Sequence, residues 1–240
     1  FGTEPRWGKG VRKGKMHCEV KKVLTYDEYK DLDNDLLYDI IIQNLSVDDL
    51  NYYNNYKTKT SAMYLERILY ICPICGSYHT LESSKNKLKC TNCGLDVAYN
   101  SDLTFSSDNS CFKFKNVLQW YDYQLEIVKN REFSNGEIIY QDEVLLTKPR
   151  LYKTKQKLGR GVLQINDQSF VVKLKDKEVV FEFDNIEAVT YLGKKKMNIY
   201  YNGETYQVYN KVDSNFIKYV HMYYILKNKK EDKNNDFIGI

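Results

Sequence analysis

Two copies of the motif Cys-x-x-Cys-Gly constrain this 240-residue chain more than any other feature. Fourteen residues separate the second cysteine of one copy from the first cysteine of the other. Four thiolates in two such turns can surround one zinc ion tetrahedrally, and a unit of under about thirty residues needs that metal in order to fold. Four protein ligands leave no position for water, so we expect a structural and not a catalytic ion. The predicted ligands are Cys72, Cys75, Cys90 and Cys93.

Other uses of the cysteines remain open at the level of sequence. The two pairs could form reducible disulfides or remain idle thiols, and His79, which lies between them, could compete as a ligand. Its place inside the predicted hairpin is more typical of a surface residue. Cys18 and Cys111 stand apart from the cluster. Because the sequence shows no secretion signal, we expect a reducing, cytoplasmic environment.

Positive charge is concentrated at the start of the chain. Residues 1–22 contain seven basic and two acidic residues, whereas the net charge of the whole chain is only +4. Such a patch favours phosphate-bearing partners, including the anionic surface of a phospholipid membrane, although an ordinary solvated face would look the same. The candidate residues for this surface are Arg6, Lys9, Arg12, Lys13 and Lys15.

The apolar spacing predicts an α+β chain built from several parts. Residues 15–24 alternate like a strand, and "NDLLYDIIIQNL" has the stripe of an amphipathic helix, as does "NVLQWYDYQLEIVK". The predicted parts are 1–50, the end of a larger α/β domain; 51–70, a linker with a short helix in "SAMYLERILY"; 71–100, the zinc ribbon; 101–132, a connecting segment with a helix; 133–230, a β-domain; and 231–240, a tail.

The β-domain shows seven alternating stretches separated by turn signals. Asn202-Gly203 is the strongest hairpin signal, because both central residues of such a turn need a positive φ. One amphipathic helix follows the last strand. We therefore predict an antiparallel β-barrel or sheet, capped by a C-terminal helix, with the architecture of a pleckstrin-homology-like (PH-like) domain.

No catalytic constellation is visible in the sequence. The three histidines, His17, His79 and His221, have no carboxylate four or five residues further on. The stretch "LGRG" lacks the Gly-Lys-Ser/Thr ending of a phosphate-binding loop. We predict no catalytic residue in this chain.

Several stretches resemble one known family. They are "GTEPRW" (Gly2–Trp7), "RKGK" (Arg12–Lys15), "YDEYKDLDNDLLYDII", "YLERILYICPICGS", "CTNCGLDVAYN" and "WYDYQ". Together they resemble, from Phe1 to about Gln124, the C-terminal half of bacterial PlsC-like acyltransferases. These are 1-acylglycerol-3-phosphate (lysophospholipid) acyltransferases that carry an appended zinc ribbon and β-domain.

The resemblance implies transfer of an acyl group from an acyl-thioester donor to a lysophospholipid, a step of phospholipid biosynthesis, by a peripheral protein at the inner face of the cell membrane. The family's His-x-x-x-x-Asp and Phe-Pro-Glu-Gly motifs do not occur in this chain, since Lys22, Ser84 and Leu226 stand at the aspartate position after the three histidines. We therefore expect a C-terminal fragment that is inactive alone.

A non-enzymatic binding module is the alternative function. A zinc ribbon can bind nucleic acid, but lysines at 85, 87 and 89 give this one only modest charge. The β-domain could instead bind anionic lipid or another protein through basic residues that elsewhere serve to protect a sheet edge. The candidates are Arg150, Lys153, Lys155, Lys157 and Arg160, or the turn 194–196.

Overall fold

The computed structural model describes residues 2–3, 7–8, 11–13, 18–47, 55–193, 195–210 and 215–231. Within these ranges the chain is mixed α+β, with three antiparallel sheets. None of the helices in these ranges has the length and apolarity that crossing a bilayer would need. Lys194 of the predicted basic turn and residues 232–240 of the predicted tail lie outside the described residues.

Two capped helices follow one another near the start of the chain, α1 (Tyr26–Tyr29) and α2 (Asn34–Leu45). Glu28 accepts hydrogen bonds from the backbone N–H and the hydroxyl of Thr25, which confirms the capping box that this spacing predicts. Asp33 caps α2 by accepting from the Leu36 N–H at 2.8 Å. Neither helix contains a buried residue, so neither is held by a core within the described residues.

The strand predicted for residues 15–24 is not formed in its described part. Residues 18–24 are irregular, and Val20 and Val23 are exposed. Alternation alone does not make a strand, because a strand also needs a neighbour for its backbone groups. The pairing found in this region joins β1 (Gly2–Thr3) to β2 (Arg12–Lys13) instead.

The middle of the chain forms a four-stranded antiparallel sheet in the order β3-β4-β5-β6. The helix predicted in "SAMYLERILY" is reduced to a 3-10 turn at Leu65–Arg67, because Tyr64 has a φ of 70° and interrupts regular helix formation. The strands are β3 (Leu81–Ser84), β4 (Lys87–Cys90), β5 (Asp96–Tyr99) and β6 (Phe105–Ser106).

The predicted connecting helix is present as α3 (Val117–Lys129), capped by Asn116. It packs on the chain that enters the ribbon. The indole N–H of Trp120, which is fully buried, donates to the Ile71 carbonyl at 3.0 Å. The buried Gln124 amide accepts from the Tyr70 N–H at 3.0 Å, so α3 holds the approach to the first cysteine in place.

The C-terminal region forms one seven-stranded antiparallel sheet in the order β10-β9-β8-β7-β13-β12-β11. The structure has the open sheet and not the closed barrel, because β10 and β11, the two edges, are joined by a 3-10 turn and share no ladder. The sheet curls, since the Phe181 ring of β10 lies 4.9 Å from the Tyr206 ring of β13. The strands are β7 (Tyr140–Arg150), β8 (Lys153–Ile165), β9 (Ser169–Leu174), β10 (Glu178–Glu182), β11 (Ile186–Leu192), β12 (Lys196–Tyr201) and β13 (Glu204–Tyr209).

The predicted C-terminal helix is α4 (Ile217–Glu231), which caps the curled sheet. Tyr223 is fully buried and its hydroxyl donates to the Ile186 carbonyl of β11 at 3.3 Å. The Tyr224 hydroxyl donates to the Val189 carbonyl at 3.2 Å. The helix is therefore fixed to one edge strand by side-chain hydrogen bonds as well as by apolar packing.

The same helix joins the sheet to the ribbon through His221, which is fully buried. Its Nδ1 lies 3.3 Å from the Tyr70 hydroxyl, and its Nε2 is hydrogen-bonded to the hydroxyl of Tyr121 on α3. Burial lowers the pKa of His221 to about 3, because the charged imidazolium would lose its hydration. The imidazole therefore stays neutral at ordinary pH.

A buried ion pair lies at the same junction. Lys218 of α4 is only 2% exposed, and its Nζ lies 2.5 Å from Asp142 Oδ2 of β7. The Tyr219 hydroxyl donates to the same carboxylate at 2.6 Å. On the ribbon side, His79 Nε2 lies 3.4 Å from Lys218 Nζ. Breaking this junction would leave a buried charge unpaired, so the ribbon and the sheet support one another.

Acid should weaken the fold through His221. The pKa of His221 is lower in the folded chain than its ordinary value of about 6.5, so protons favour the unfolded chain. The stability that the neutral imidazole retains above about pH 6.5 should fall by up to about 1.4 kcal/mol per pH unit as the pH drops towards 3. Denaturant unfolding of His221→Gln and the native chain, followed between pH 7 and pH 5, measures this slope.

Any metal that leaves in acid affects both proteins, so the difference between the two slopes isolates the histidine. Equal slopes in the native chain and in His221→Gln would contradict this assignment.

Candidate metal centre

The four cysteines of the two motifs come together at one point. Cys72 Sγ lies 3.6 Å from Cys93 Sγ, and Cys75 Sγ lies 3.8 Å from Cys90 Sγ. All four sulfurs lie within 4.8 Å of one another. Zinc–sulfur bonds of about 2.3 Å in a tetrahedron place the sulfurs about 3.8 Å apart, so the observed spacing fits such an ion. A disulfide would need about 2.05 Å, which neither pair approaches.

Both cysteine turns are built in the same way. The Gly76 N–H donates to the Cys72 carbonyl at 2.9 Å, and the Gly94 N–H donates to the Cys90 carbonyl at 3.0 Å. The two glycines have φ values of 68° and 76°. Because a side chain at such a φ is strained, glycine is the residue that closes each turn most easily. This is the local reason for the repeated Cys-x-x-Cys-Gly.

The cluster lies at the rim of the ribbon and is partly open to solvent. Cys72 and Cys90 are buried, whereas Cys75 and Cys93 are exposed. Cys90 is the last residue of β4. Cys72 follows Ile71, which forms an isolated antiparallel β-bridge with Tyr78. The ribbon strands therefore set the positions of the sulfurs, and one side of the centre can exchange ligand protons with water.

Hydrogen bonds favour thiolates at part of the cluster. Contacts from Ser77 and then Asn92 lower the pKa of Cys75 to about 5. Burial raises the pKa of the Cys72 thiol well above its ordinary value. A bound cation would offset that cost, since metal ligands must be deprotonated and binding releases their protons. The Thr80 hydroxyl lies 3.2 Å from Cys90 Sγ and gives this sulfur a polar neighbour.

The arrangement suits a structural role. Four cysteine ligands fill a tetrahedral sphere and leave no position for a substrate or a reactive water. His79 is not part of the cluster, because its side chain points to Lys218. His221, the other histidine that the structure describes, is enclosed between two tyrosines. His17 lies outside the described residues.

The predicted basic surface at the start of the chain is described only in part. Arg12 is buried, and its guanidinium donates to the Ser61 carbonyl at 2.5 Å and lies 5.2 Å from the centroid of the Tyr99 ring. This side chain is therefore engaged inside the protein and does not face solvent as predicted. Lys13 lies on β2, and nothing is described of its side chain. Arg6, Lys9 and Lys15 lie outside the described residues.

A second candidate surface is the long hairpin of β7 and β8. The segment from Lys148 to Arg160 contains six basic residues and no acidic one. Arg150 pairs with Lys153 across the hairpin, so Leu151 and Tyr152 form its apex. The basic residues were predicted from the sequence and this apex was not, although "PRLYK" places two large side chains, Leu151 and Tyr152, between cations.

A cleft of about 530 Å³ lies beside this hairpin. Its walls come from β7, β8, β12 and β13 and from the end of β11. Lys155 Nζ donates to Gln207 Oε1 at 2.5 Å, and the Gln207 amide donates to Asn198 Oδ1 at 2.8 Å. Lys148 pairs with Glu204 at the same end of the sheet. The cleft is therefore lined by cations and amides, with one acidic side chain.

Comparison with known proteins finds a similar solved structure that matches less than half of the chain. No protein family and no curated protein matches the sequence. Among solved structures, the N-terminal PH domain of human ARAP2, determined in solution, is similar with a TM-score of 0.36 and 10% identity. The match covers 45% of this chain and 94% of that domain. The strand order and the capping helix describe the sheet domain independently of this likeness.

Removing one ligand should abolish metal binding and unfold the ribbon. We expect about one equivalent of zinc in the native chain and a large loss in Cys72→Ser, because structural zinc supplies about 10–16 kcal/mol of binding energy to such small units. Metal analysis by mass spectrometry and thermal unfolding measure the two effects. Cys111→Ser changes an exposed cysteine outside the cluster and is the matched control. Full folding of Cys72→Ser without metal would contradict the assignment.

Proposed function

We propose that this chain is a non-catalytic, zinc-stabilised module that binds the anionic surface of a phospholipid membrane. The observation that carries this proposal is the β7–β8 hairpin, with six basic residues and no acidic one between Lys148 and Arg160. Each lysine or arginine near an anionic leaflet contributes about 1 kcal/mol of attraction. Several such residues on one rigid hairpin therefore suffice for reversible peripheral binding.

The charges of the hairpin are available to a partner. Lys153, Lys157 and Arg160 are exposed, and none of them forms an ion pair with an acidic side chain in the part of the chain that the structure describes. Lysines on a free sheet edge often serve only to block aggregation. β9 pairs with β8 only over residues 161–165, so residues 153–160 do form such a free edge, and the proposal rests on the number of cations together with the absence of an acidic residue from Lys148 to Arg160.

The neighbouring cleft supports the same partner. Phosphate oxygens of a headgroup accept hydrogen bonds from lysine, arginine and amide groups. Arg150, Lys155 and Gln207 line this cleft of about 530 Å³ at the base of the hairpin. A headgroup entering it would meet cations first and the buried amides behind them.

The metal centre supports binding indirectly. Zinc would fix the ribbon, the ribbon packs against α4 through Tyr70 and His221, and α4 caps the sheet that carries the hairpin. The role of the ion in this proposal is to stabilise the scaffold. No step of chemistry is assigned to it, since four cysteines fill its coordination sphere.

Nucleic acid is the less favoured partner. Binding of single strands uses exposed aromatic rings as stacking platforms beside a basic groove. In the ribbon, Tyr99 and Phe105 are buried, and Lys87 and Lys89 both pair with Asp96. Lys87 and Lys89 are therefore already paired with an acidic residue, and neither Tyr99 nor Phe105 is available to stack on a base.

The resemblance of "GTEPRW", "RKGK" and the cysteine motifs supports a wider proposal. The module would be the C-terminal part of a lysophospholipid acyltransferase, a zinc-containing peripheral protein of the cytoplasmic membrane face that uses an acyl-thioester donor. The reading frame ahead of Gly2 should then encode His-x-x-x-x-Asp and Phe-Pro-Glu-Gly, and the encoded protein should acylate lysophospholipids. A longer reading frame without these motifs would refute this wider proposal and leave the membrane-binding module intact.

Neutralising two hairpin lysines should weaken membrane binding. Lys153→Gln/Lys157→Gln should lose about 2 kcal/mol, roughly 30-fold in affinity for vesicles of phosphatidylglycerol and phosphatidylcholine. Sedimentation of the folded protein with the vesicles measures this, at low and at high salt, because screening should weaken the native chain in the same direction.

The matched control is Lys113→Gln/Lys115→Gln, which makes the same charge change at two exposed lysines before α3. Equal losses in both variants would overturn the assignment to the hairpin. Tighter binding to a single-stranded oligonucleotide than to the vesicles would overturn the choice of partner.

A further inference from the structure

We infer that Leu151 and Tyr152, the apex of the β7–β8 hairpin, insert into the bilayer as an apolar wedge while the basic residues behind them contact the headgroups. This inference rests on the proposed function, since it assumes that the hairpin meets a membrane. Beyond the proposed function, it states which depth of the membrane is contacted and which two residues enter it.

Leu151 and Tyr152 are unusual residues for a turn that contacts only water. Leu151 is 79% exposed and Tyr152 is 96% exposed. Tyr152 also has a φ of 56°, in the left-handed region that glycine or asparagine occupies with less strain. A solvated turn would favour those small or polar residues, so two large apolar side chains here indicate contact with an apolar phase.

The spacing of the charges fits insertion to a limited depth. Lys153 pairs with Arg150 beside the apex, and Lys155 and Lys157 follow along β8, so the cations recede from the apex at about 3.3 Å per residue. An apex of two residues reaches the boundary between headgroups and acyl chains, where interfacial side chains enter by about 5–10 Å. The lysines then lie at the level of the phosphates. Tyrosine suits this boundary because its ring is apolar and its hydroxyl remains hydrated.

A neighbouring turn presents a third apolar residue at the same end of the sheet. Leu192, at the end of β11, is 48% exposed and lines the same cleft as Leu151. Two turns of the sheet therefore present leucine on one side of the domain. This favours a defined plane of contact over a single projecting loop.

Charge distinguishes this surface from the exposed apolar side chains of helix α2. Helix α2 exposes Leu36, Ile41 and Leu45, but Asp35 and Asp39 lie among them and would be repelled by anionic lipid. The hairpin combines exposed apolar residues with positive charge only. The two apolar surfaces thus differ in sign, and the hairpin is the one complementary to an anionic bilayer.

Fluorescence can detect insertion directly. In Tyr152→Trp, the added tryptophan emission should shift to shorter wavelength on phosphatidylglycerol-containing vesicles and be quenched by lipids brominated on their acyl chains. Subtracting the spectrum of the native chain removes the signals of Trp7 and Trp120. Tyr26→Trp is the matched control, because Tyr26 of α1 is 67% exposed, and it should show neither effect.

Stability and binding should move in opposite directions in a second variant. Tyr152→Asn places a residue that tolerates positive φ at the apex, so its unfolding midpoint should stay equal or rise while vesicle affinity falls. Leu151→Ser/Tyr152→Asn should weaken binding by about tenfold or more. Leu118→Ser, at a 60% exposed position on α3, should leave binding unchanged.

The outcomes separate the two proposals. Charge-dependent vesicle binding with no tryptophan shift, and with full affinity in Leu151→Ser/Tyr152→Asn, would overturn the wedge and leave the proposed function standing. Absence of vesicle binding by the native chain would overturn both. A tryptophan shift that is equal for Tyr152→Trp and Tyr26→Trp would also overturn the wedge.

Discussion

The convergence of four cysteine sulfurs on one point is the constraint on which the rest of the structure depends. Sulfurs 3.6 and 3.8 Å apart would repel one another as thiolates without a cation between them. A tetrahedral ion would replace this repulsion by attraction and would add its binding energy to the ribbon, whose strands are only two to four residues long. The ion would thereby supplement the small core that Leu88, Val97 and Trp120 form there.

Buried polar contacts connect the ribbon to the sheet domain. His221 between Tyr70 and Tyr121, and Lys218 beside Asp142, tie α4 to both parts of the molecule. Such contacts are costly when broken, because a buried group without its partner loses its hydration and gains nothing. They make the orientation of the ribbon specific. The hairpin that carries the proposed membrane contact therefore stands on a scaffold fixed from both sides.

Local chemistry was predictable from sequence, and long-range placement was not. The cysteine cluster followed from spacing, and the antiparallel strands and the capping helix followed from alternation and turn signals. The strand predicted for residues 15–24 is absent from its described part, residues 18–24, since alternation cannot supply a partner strand. Arg12 was predicted to be exposed because its burial depends on contact with Tyr99, which is 87 positions further along the chain. The exposure of Tyr152 likewise depends on how far β7 and β8 extend together.

X-ray absorption at the zinc edge tests the central claim most directly, because it reports the type, number and distance of the atoms around the ion in solution. The account predicts four sulfur neighbours at about 2.3 Å and no nitrogen or oxygen in the first shell. A shell that contains nitrogen or oxygen, or zinc-free protein that keeps its ribbon folded, would contradict it.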